Sequence, residues 1–253
     1  MRKSLIYSLA LLLVAGVAVL SCSKDSTEVE QVVKGYKVSI PATYGGTKVV
    51  TEGADGGGTA TFSTEENVYV CNTSNSDAID GGVLHPDANA AHAELIGTLS
   101  GTYSVGNSLQ LLYNTTAAGV ADYTSQNGTI GNVKDAGSAN VTVSSISGGT
   151  LVTSSRASFT NLQSIFKFTF KCNGTALNVK SVHITSADNK LVQSYNVVSG
   201  ASTYGYVLAT NSTAQSPFYV ALRFDSNIGD NIYFIGMDED ENLYYATKAA
   251  PAS

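Results

Sequence analysis

The sequence contains no tryptophan, only three cysteines and three histidines, and just 13% charged residues. Its 14 lysines and arginines form no cluster after the N-terminus, and the formal net charge is −6. Duplex or single-stranded nucleic acid would find no electrostatic footprint, so we expect no nucleic-acid partner. Low charge combined with 43% hydrophobic residues excludes a disordered polar chain and permits a sizeable core.

The residues that are abundant favour strands and turns over helices. There are 24 glycines, and the 14 tyrosines outnumber the eight phenylalanines. Many serines and threonines accompany them, and this composition is typical of β-proteins. Short runs with alternating apolar and polar residues recur at roughly 8–12-residue spacing, which predicts β-sandwiches.

The strongest strand pattern lies between Arg156 and Cys172. One side of a period-two pattern carries Phe166, Phe168, Phe170 and Cys172. The other side carries two lysines and a threonine, so the strand is expected to be half buried. Each buried phenylalanine contributes about 1.5–3 kcal/mol, which requires an opposing apolar sheet. We place the start of a second β-domain here.

The N-terminus resembles an export signal. Met1-Arg2-Lys3 is positively charged, and an apolar run follows at residues 4–20. The run approaches the length of a transmembrane anchor, which is the alternative. Leu20-Ser21-Cys22 resembles the lipobox of bacterial lipoproteins, in which the cysteine becomes the lipidated first residue. The resemblance implies a signal peptide at 1–21, lipidation of Cys22 and a lipidated linker at 22–34.

Cys71 and Cys172 are the two cysteines that remain. The compartment is oxidising, so a disulfide between them is chemically possible. The two residues fall in different expected domains, and we predict two separate strand cysteines.

Two polar segments contain residue types that bind metals, but the spacing of these residues does not favour a metal site. His85 and His92, with Asp80, Asp87 and Glu94 nearby, lie in an expected loop at 72–92 without a close histidine pair. Residues 86–96 are the only candidate for one or two helical turns.

The second segment is at the end of the chain. Asp238, Asp240 and Asn242 imitate the start of a calcium loop, but Leu243 and Ala249 stand where glycine and glutamate are needed. An acidic hairpin tip is the better interpretation. We predict no metal and no cofactor.

The sequence offers no catalytic constellation. It has no nucleophile elbow and no paired carboxylates in an apolar setting. We therefore expect a protein that is not an enzyme, with no catalytic residues.

Several segments together resemble the fimbrillin-like family, the lipoprotein subunits, anchors and tips of type V pili. They are residues 62–70 (FSTEENVYV), 95–99 (LIGTL), 111–113 (LLY), 126–128 (QNG), 157–162 (ASFTNL), 166–170 (FKFTF), 179–184 (VKSVHI) and 237–244 (MDEDENLY). The resemblance implies an all-β fold of two tandem transthyretin-like antiparallel β-sandwiches, at residues 35–155 and 156–253. It also implies assembly with other pilus subunits by β-strand addition.

The family resemblance bears on the role within a pilus. Arginine-specific cleavage near the first strand activates the family's pilins, but no arginine lies between Cys22 and Arg156. An anchor, tip or accessory subunit, held in the outer membrane by lipid on Cys22 and exposed at the cell surface or in a fimbrium, is therefore expected. A host or bacterial surface ligand would be its adhesive partner. The alternative is a surface carbohydrate-binding lipoprotein that stacks sugars on tyrosines.

Overall fold

The computed structural model describes residues 35–44, 61–75, 78–188, 190–225 and 231–250. The predicted signal peptide, Cys22 and the linker lie outside the described residues. Over the described ranges, strands and a single 3-10 turn at Ile130–Asn132 form all the regular structure, so the all-β prediction is confirmed. A helix with the length and apolarity to cross a membrane is not found in those ranges.

The strands alternate with short turns along the whole described chain. The first ten are β1 (Tyr36–Tyr44), β2 (Val68–Asn72), β3 (Ala78–Pro86), β4 (His92–Leu99), β5 (Ser108–Tyr113), β6 (Val120–Asp122), β7 (Ser125–Gln126), β8 (Gly137–Ser147), β9 (Thr150–Thr153) and β10 (Ala157–Asn161). The others are β11 (Ser164–Phe168), β12 (Phe170–Cys172), β13 (Thr175–Leu177), β14 (Val179–Ser186), β15 (Val192–Asn196), β16 (Ser202–Tyr204), β17 (Val207–Gln215), β18 (Phe218–Leu222), β19 (Asn231–Met237) and β20 (Leu243–Ala249).

The first sheet closes on itself. Its order is β10-β1-β4-β3-β2-β5-β8-β9, and further pairings join β10 to β8 and β9 to β1. Strand β1 pairs antiparallel with β4 and parallel with both β9 and β10. The parallel pairs depart from the expected purely antiparallel arrangement. Closure leaves this sheet, which we call the closed sheet, with few unpaired backbone edges.

Every second residue of β1 points into the interior of the closed sheet. Val38, Ile40, Ala42 and Tyr44 are buried, whereas Lys37 and Ser39 face solvent. At one end of this first core, the rings of four residues pack with centroids 5.1–6.3 Å apart. They are Tyr44, Phe62, Tyr113 and Phe159.

The rest of the chain forms smaller sheets around a second core. A five-stranded sheet has the order β20-β19-β14-β17-β7, and a three-stranded sheet has the order β16-β15-β6. Two further pairs are β11 with β18 and β12 with β13. Several sheets around a shared core are consistent with β-sandwich packing.

The two cores do not divide the chain at the expected boundary of 155/156. Ala157 and Phe159, on β10, are buried in the first core. Ala121 and Tyr123, from the segment that contains β6 and β7, are buried in the second. The reason is pairing: β10 completes the closed sheet beside β1, while β6 pairs with β15 and β7 with β17. Residues 35–253 form one compact unit.

The expected loop at 72–92 and the expected helical turns at 86–96 are wrong. Residues 78–86 form β3, which pairs with β2 and β4, and β4 begins at His92. Glycine allows this strand to approach its neighbour closely. A Cβ on Gly82 would lie 2.2 Å from the carbonyl oxygen of Thr98. The glycines of this segment are typical of loops, but here Gly82 is needed for close strand packing.

Candidate functional site: a groove between two strand edges

One wall of the candidate site is the aromatic stretch 164–172. Strand β11 pairs with β18 from Ser164↔Leu222 to Phe168↔Phe218. The strand is interrupted at Thr169, and β12 then pairs with β13 in a separate hairpin. Among the strands that the structure describes, β11 has no partner on its second side. Its outer backbone edge thus forms no ladder with another described strand.

The phenylalanines of this wall are half buried, as the alternating pattern predicts. The rings of Phe166 and Phe168 stack with centroids 5.9 Å apart. Phe166 meets the edge of Phe224 at 5.8 Å, and Phe168 lies 4.9 Å from Phe234 on β19. These contacts hold the rings against the second core while leaving part of each ring exposed.

Cys172 does not continue this row. The interruption at Thr169 changes the course of the strand, and Cys172 is exposed in the hairpin. Cys71 is buried on β2, and both residues are thiols rather than halves of a disulfide.

The opposite wall is β20. It pairs with β19 without a register shift from Met237↔Leu243 to Asn231↔Ala249. Within the described ranges, β20 has no partner on its other side. Tyr244, Ala246 and Lys248 alternate toward the groove, and Thr247 lies on the opposite face.

A groove of about 340 Å³ lies between these walls. The described residues that line it include two lysines and no acid. They are Phe168, Thr169, Phe170, Lys171, Leu177, Phe234, Tyr244, Tyr245, Ala246 and Lys248. The groove thus combines aromatic side chains and positive charge with two strands, β11 and β20, that each lack a second ladder partner among the described strands. Such features are the elements that bind an extended peptide.

The acidic hairpin tip at 238–242 positions Tyr244 in this groove. The Asp238 carboxylate accepts hydrogen bonds from the Asn242 backbone at 2.9 Å, the Asn242 side chain at 3.0 Å and the Tyr244 hydroxyl at 2.9 Å. These hydrogen bonds, that from the Asn242 side chain foremost, lower the pKa of Asp238. The carboxylate is thus engaged by its own hairpin, in agreement with a hairpin tip.

The two histidines considered as metal ligands contact different groups. His85 Nδ1 is 3.2 Å from the carbonyl oxygen of Glu66, and His92 Nδ1 is 3.1 Å from the Thr43 hydroxyl. Within the ranges described, no three histidine, cysteine or acidic residues lie close enough together to hold a metal ion.

A second, polar cleft of about 450 Å³ lies beside the turn after β5. The Asn114 side-chain amide donates to Glu66 Oε1 at 3.2 Å and to Asp135 Oδ1 at 2.7 Å. Tyr113 also donates to Glu66. The amide separates the two carboxylates and holds them in place, which is an arrangement that stabilises the turn.

The outer face of the five-stranded sheet carries exposed tyrosines. Ile235 on β19 lies between His183 on β14 and Tyr245 on β20, and Tyr245 is 74% exposed. The His183 ring stacks on Tyr206 with centroids 4.6 Å apart. This face offers flat aromatic surfaces that the sequence did not single out, because each tyrosine occupies an ordinary strand position.

Among the residues predicted from sequence, the structure brings part of the phenylalanine row to one groove with the strand that follows the 238–242 hairpin tip. The contribution of Lys248 and Ala246 depends on where β20 packs, which the sequence did not indicate. Cys22, the predicted lipidation site, lies outside the described residues. No protein-family model, curated protein or solved structure matches this chain.

Proposed function

We propose that this chain is a surface lipoprotein of the fimbrillin-like kind, a structural or adhesive component of a pilus. In this proposal, the groove between β11–β12 and β20 receives an extended strand from another subunit. The observation that carries it is the aromatic groove bordered by β11 and β20, two strands that each have one free side in the part of the chain that the structure describes. A strand placed there would complete backbone hydrogen bonds and bury half-exposed rings.

The groove chemistry defines the strand that fits. Alternate apolar side chains would enter between Phe168, Phe170 and Tyr244. Acidic side chains on the incoming strand would meet Lys171 and Lys248 at the groove. The partner is therefore a segment with alternating apolar and acidic residues.

An anchor, tip or accessory position fits better than a repeating stalk position. Arg156 immediately precedes β10 and donates to the Ala42 carbonyl at 3.2 Å and to the Thr43 hydroxyl at 3.3 Å, both on β1. Cleavage there would interrupt a segment that closes the first sheet instead of releasing β1. In this role, lipid on Cys22 anchors the chain in the outer membrane, the sandwiches are transthyretin-like and no residue is catalytic.

Two neighbouring substitutions on β20 test the groove. Ala246→Trp would fill the groove, whereas Thr247→Trp places the same ring on the opposite face. Both residues are exposed, so each variant should change the free energy of unfolding by less than about 0.5 kcal/mol. The measurement is recovery of neighbouring subunits crosslinked to the full chain on intact cells.

We expect Ala246→Trp to lower that recovery at least about tenfold, equivalent to about 1.4 kcal/mol. Thr247→Trp should retain it. Mass spectrometry should place the crosslink within an extended segment of the partner. Equal recovery with both variants would contradict strand addition at this groove.

A carbohydrate-binding role is the second candidate, and the exposed tyrosine face favours it. Sugar rings stack their C–H faces on aromatic side chains, and Tyr245, Tyr233 and Tyr206 are exposed together near His183. Glycan-array binding by the protein that is lost in Tyr245→Ala but retained in Ala246→Trp would support this role. Binding to no glycan would exclude it.

A further inference from the structure

The five-stranded sheet has two faces, and only one of them packs on the second core. Val182 and Ile184 of β14 and Phe234 of β19 are buried in that core. The residues between them point to the other side, because side chains alternate along a strand. We keep the name outer face for this second side of the sheet.

The strand register arranges the outer face in three rows across β20, β19, β14 and β17. The rows are Leu243–Met237–Ser181–Thr210, Tyr245–Ile235–His183–Leu208 and Thr247–Tyr233–Thr185, which Tyr206 continues just before β17. None of these residues is an acid, a lysine or an arginine. The outer face therefore differs from an ordinary solvated sheet face, on which charged side chains are common.

Much of this face is both apolar and open to solvent. Tyr245 is 74% exposed, Leu243 53% and Tyr206 49%. Charges flank the rows instead, as in the ion pair of Lys180 with Glu239 at 3.6 Å. The centres of protein interfaces are depleted of charged residues and enriched in tyrosine and methionine, and their rims are polar. The composition of the outer face is thus that of a protein interface.

The size of the outer face agrees with a small but specific interface. Strands about 4.8 Å apart with a rise of about 3.4 Å per residue give the rows a projected area of roughly 400 Å². The relief of the side chains adds to this area. Two such faces together would therefore bury roughly 1,000 Å², which is the lower end of the range for specific interfaces.

A second copy of this chain is the partner that these features favour. The whole chain has a net charge of −6, so two copies repel each other unless the surfaces that meet lack acids. The outer face meets that condition, whereas a charged partner would find no opposite charge on it. Two sheets also pack well face to face, with their strands within about 30° of each other.

We propose that two copies of this chain pack outer face against outer face around a two-fold axis, with their strands antiparallel. This direction places the two acidic hairpin tips at 238–242 at opposite ends of the interface, where they do not repel each other. The axis then runs along the middle row, so Ile235 and His183 each face their own counterpart. The dimer is independent of the groove, because Ala246 and Lys248 line the groove from the other face of β20.

Opposite charges at Ile235 test this arrangement. Ile235→Lys and Ile235→Glu each bring like charges together in a homodimer, whereas a mixture of the two variants pairs opposite charges. Sedimentation velocity of the purified full chain in detergent, over a series of concentrations, measures the dimer dissociation constant. We expect each variant alone to raise this constant at least about tenfold, and the mixture to restore most of the loss. The matched control is Ile96→Lys, at an exposed isoleucine of β4, and should change the constant by less than about twofold.

The outcomes separate this dimer from other kinds of association. A full chain that stays monomeric at every concentration would overturn the proposal. Association that persists in both Ile235 variants, as the apolar run at 4–20 would cause, would also overturn it. So would a mixture that is no better than the single variants. A monomer that binds glycans through Tyr206, Tyr233 and Tyr245 would assign the face to sugars instead.

A second pair of variants serves if those at Ile235 do not fold. Tyr245 lies in the same row and is mostly exposed, so Tyr245→Lys and Tyr245→Glu should keep the fold. Their mixture should again dimerise more strongly than either variant alone. Equal dimerisation of the mixture and the single variants would contradict the two-fold arrangement.

Discussion

The side-chain amide of Gln126 forms both hydrogen bonds that a neighbouring strand would form with Ala221. Gln126 Oε1 accepts from the Ala221 backbone N–H at 2.8 Å, and Gln126 Nε2 donates to the Ala221 carbonyl at 2.8 Å. Both residues are buried. The amide thereby covers the edge of β18 that faces away from β11.

Replacing this amide tests its role. Gln126→Leu should lower the free energy of unfolding by about 2–4 kcal/mol, because it leaves a buried N–H and a buried C=O without partners. Urea denaturation of the two proteins measures the difference. Gln110→Leu is the control and should lie within about 0.5 kcal/mol of the unchanged protein; a similar loss in both variants would assign the effect to β-propensity instead.

The Asp80 carboxylate organises the chain between β4 and β5, and it should make stability depend on pH. Asp80 accepts from the Gly82 N–H at 2.7 Å, the Ser100 N–H at 2.8 Å, and from Gly101 and Tyr103. Burial raises the pKa of Asp80, but these hydrogen bonds outweigh burial and lower the pKa below its ordinary value of 3.8. Because the folded state has the lower pKa, its stabilisation is complete above the unfolded pKa and is lost as pH falls through the folded value.

Asp80→Asn should therefore cost about 2–3 kcal/mol at neutral pH. The difference from the unchanged protein should shrink as pH falls below about 4. Denaturant titrations over a series of pH values measure both effects. A difference that stays constant down to acidic pH would show that the charge of Asp80 is not involved.

Phe159→Ala should destabilise the first core, although the residue lies after Arg156. Its ring packs among Tyr44, Phe62 and Tyr113, and truncation of a buried phenylalanine costs about 3–5 kcal/mol. Increased proteolysis within the closed sheet is the expected readout. Cleavage confined to β11–β20 would contradict the assignment of Phe159 to the first core.

The two described cysteines should react with thiol reagents at different rates. Cys172 is exposed and should be labelled in the folded protein, whereas Cys71 is buried and should be labelled only after unfolding. Mass spectrometry of labelled peptides separates the two positions. Equal labelling in native buffer would contradict the placement of β2.

Lipidation should depend on Cys22 alone. Cells grown with a labelled fatty acid should incorporate label into the unchanged chain and into Cys172→Ala, and lose it in Cys22→Ala. Fatty-acid label retained in Cys22→Ala would contradict lipidation of Cys22, while strand addition at the groove would remain a separate proposal.

The sequence predicted strands best where alternation and burial agree. In β1, β11 and β19, apolar residues at every second position face a core, so local pattern and tertiary packing indicate the same element. Strand β3 was missed because its glycines and proline are typical of loops. Its conformation depends on pairing with β2 and β4, which no local pattern reveals.

The groove was predictable only in part. The half-buried row at Phe166 and Phe168 indicated an opposing apolar surface, but the interruption at Thr169 and the position of β20 result from three-dimensional packing. Gln126 looks like an ordinary polar residue of a serine- and threonine-rich chain. Its role depends on the backbone of Ala221, which lies opposite it in space.

The parallel contacts of β1 have a consequence for the order of events during synthesis. Its partners on that side, β9 and β10, are made only after more than a hundred further residues, as in Ala42↔Ala157. Pairings between segments so distant along the chain form slowly, and until they form, the folding intermediates are prone to aggregate. In a nascent chain that ends before Asn161, the closed sheet is therefore still open on one side of β1. A chaperone that shields unpaired strand edges would act on the chain at this stage.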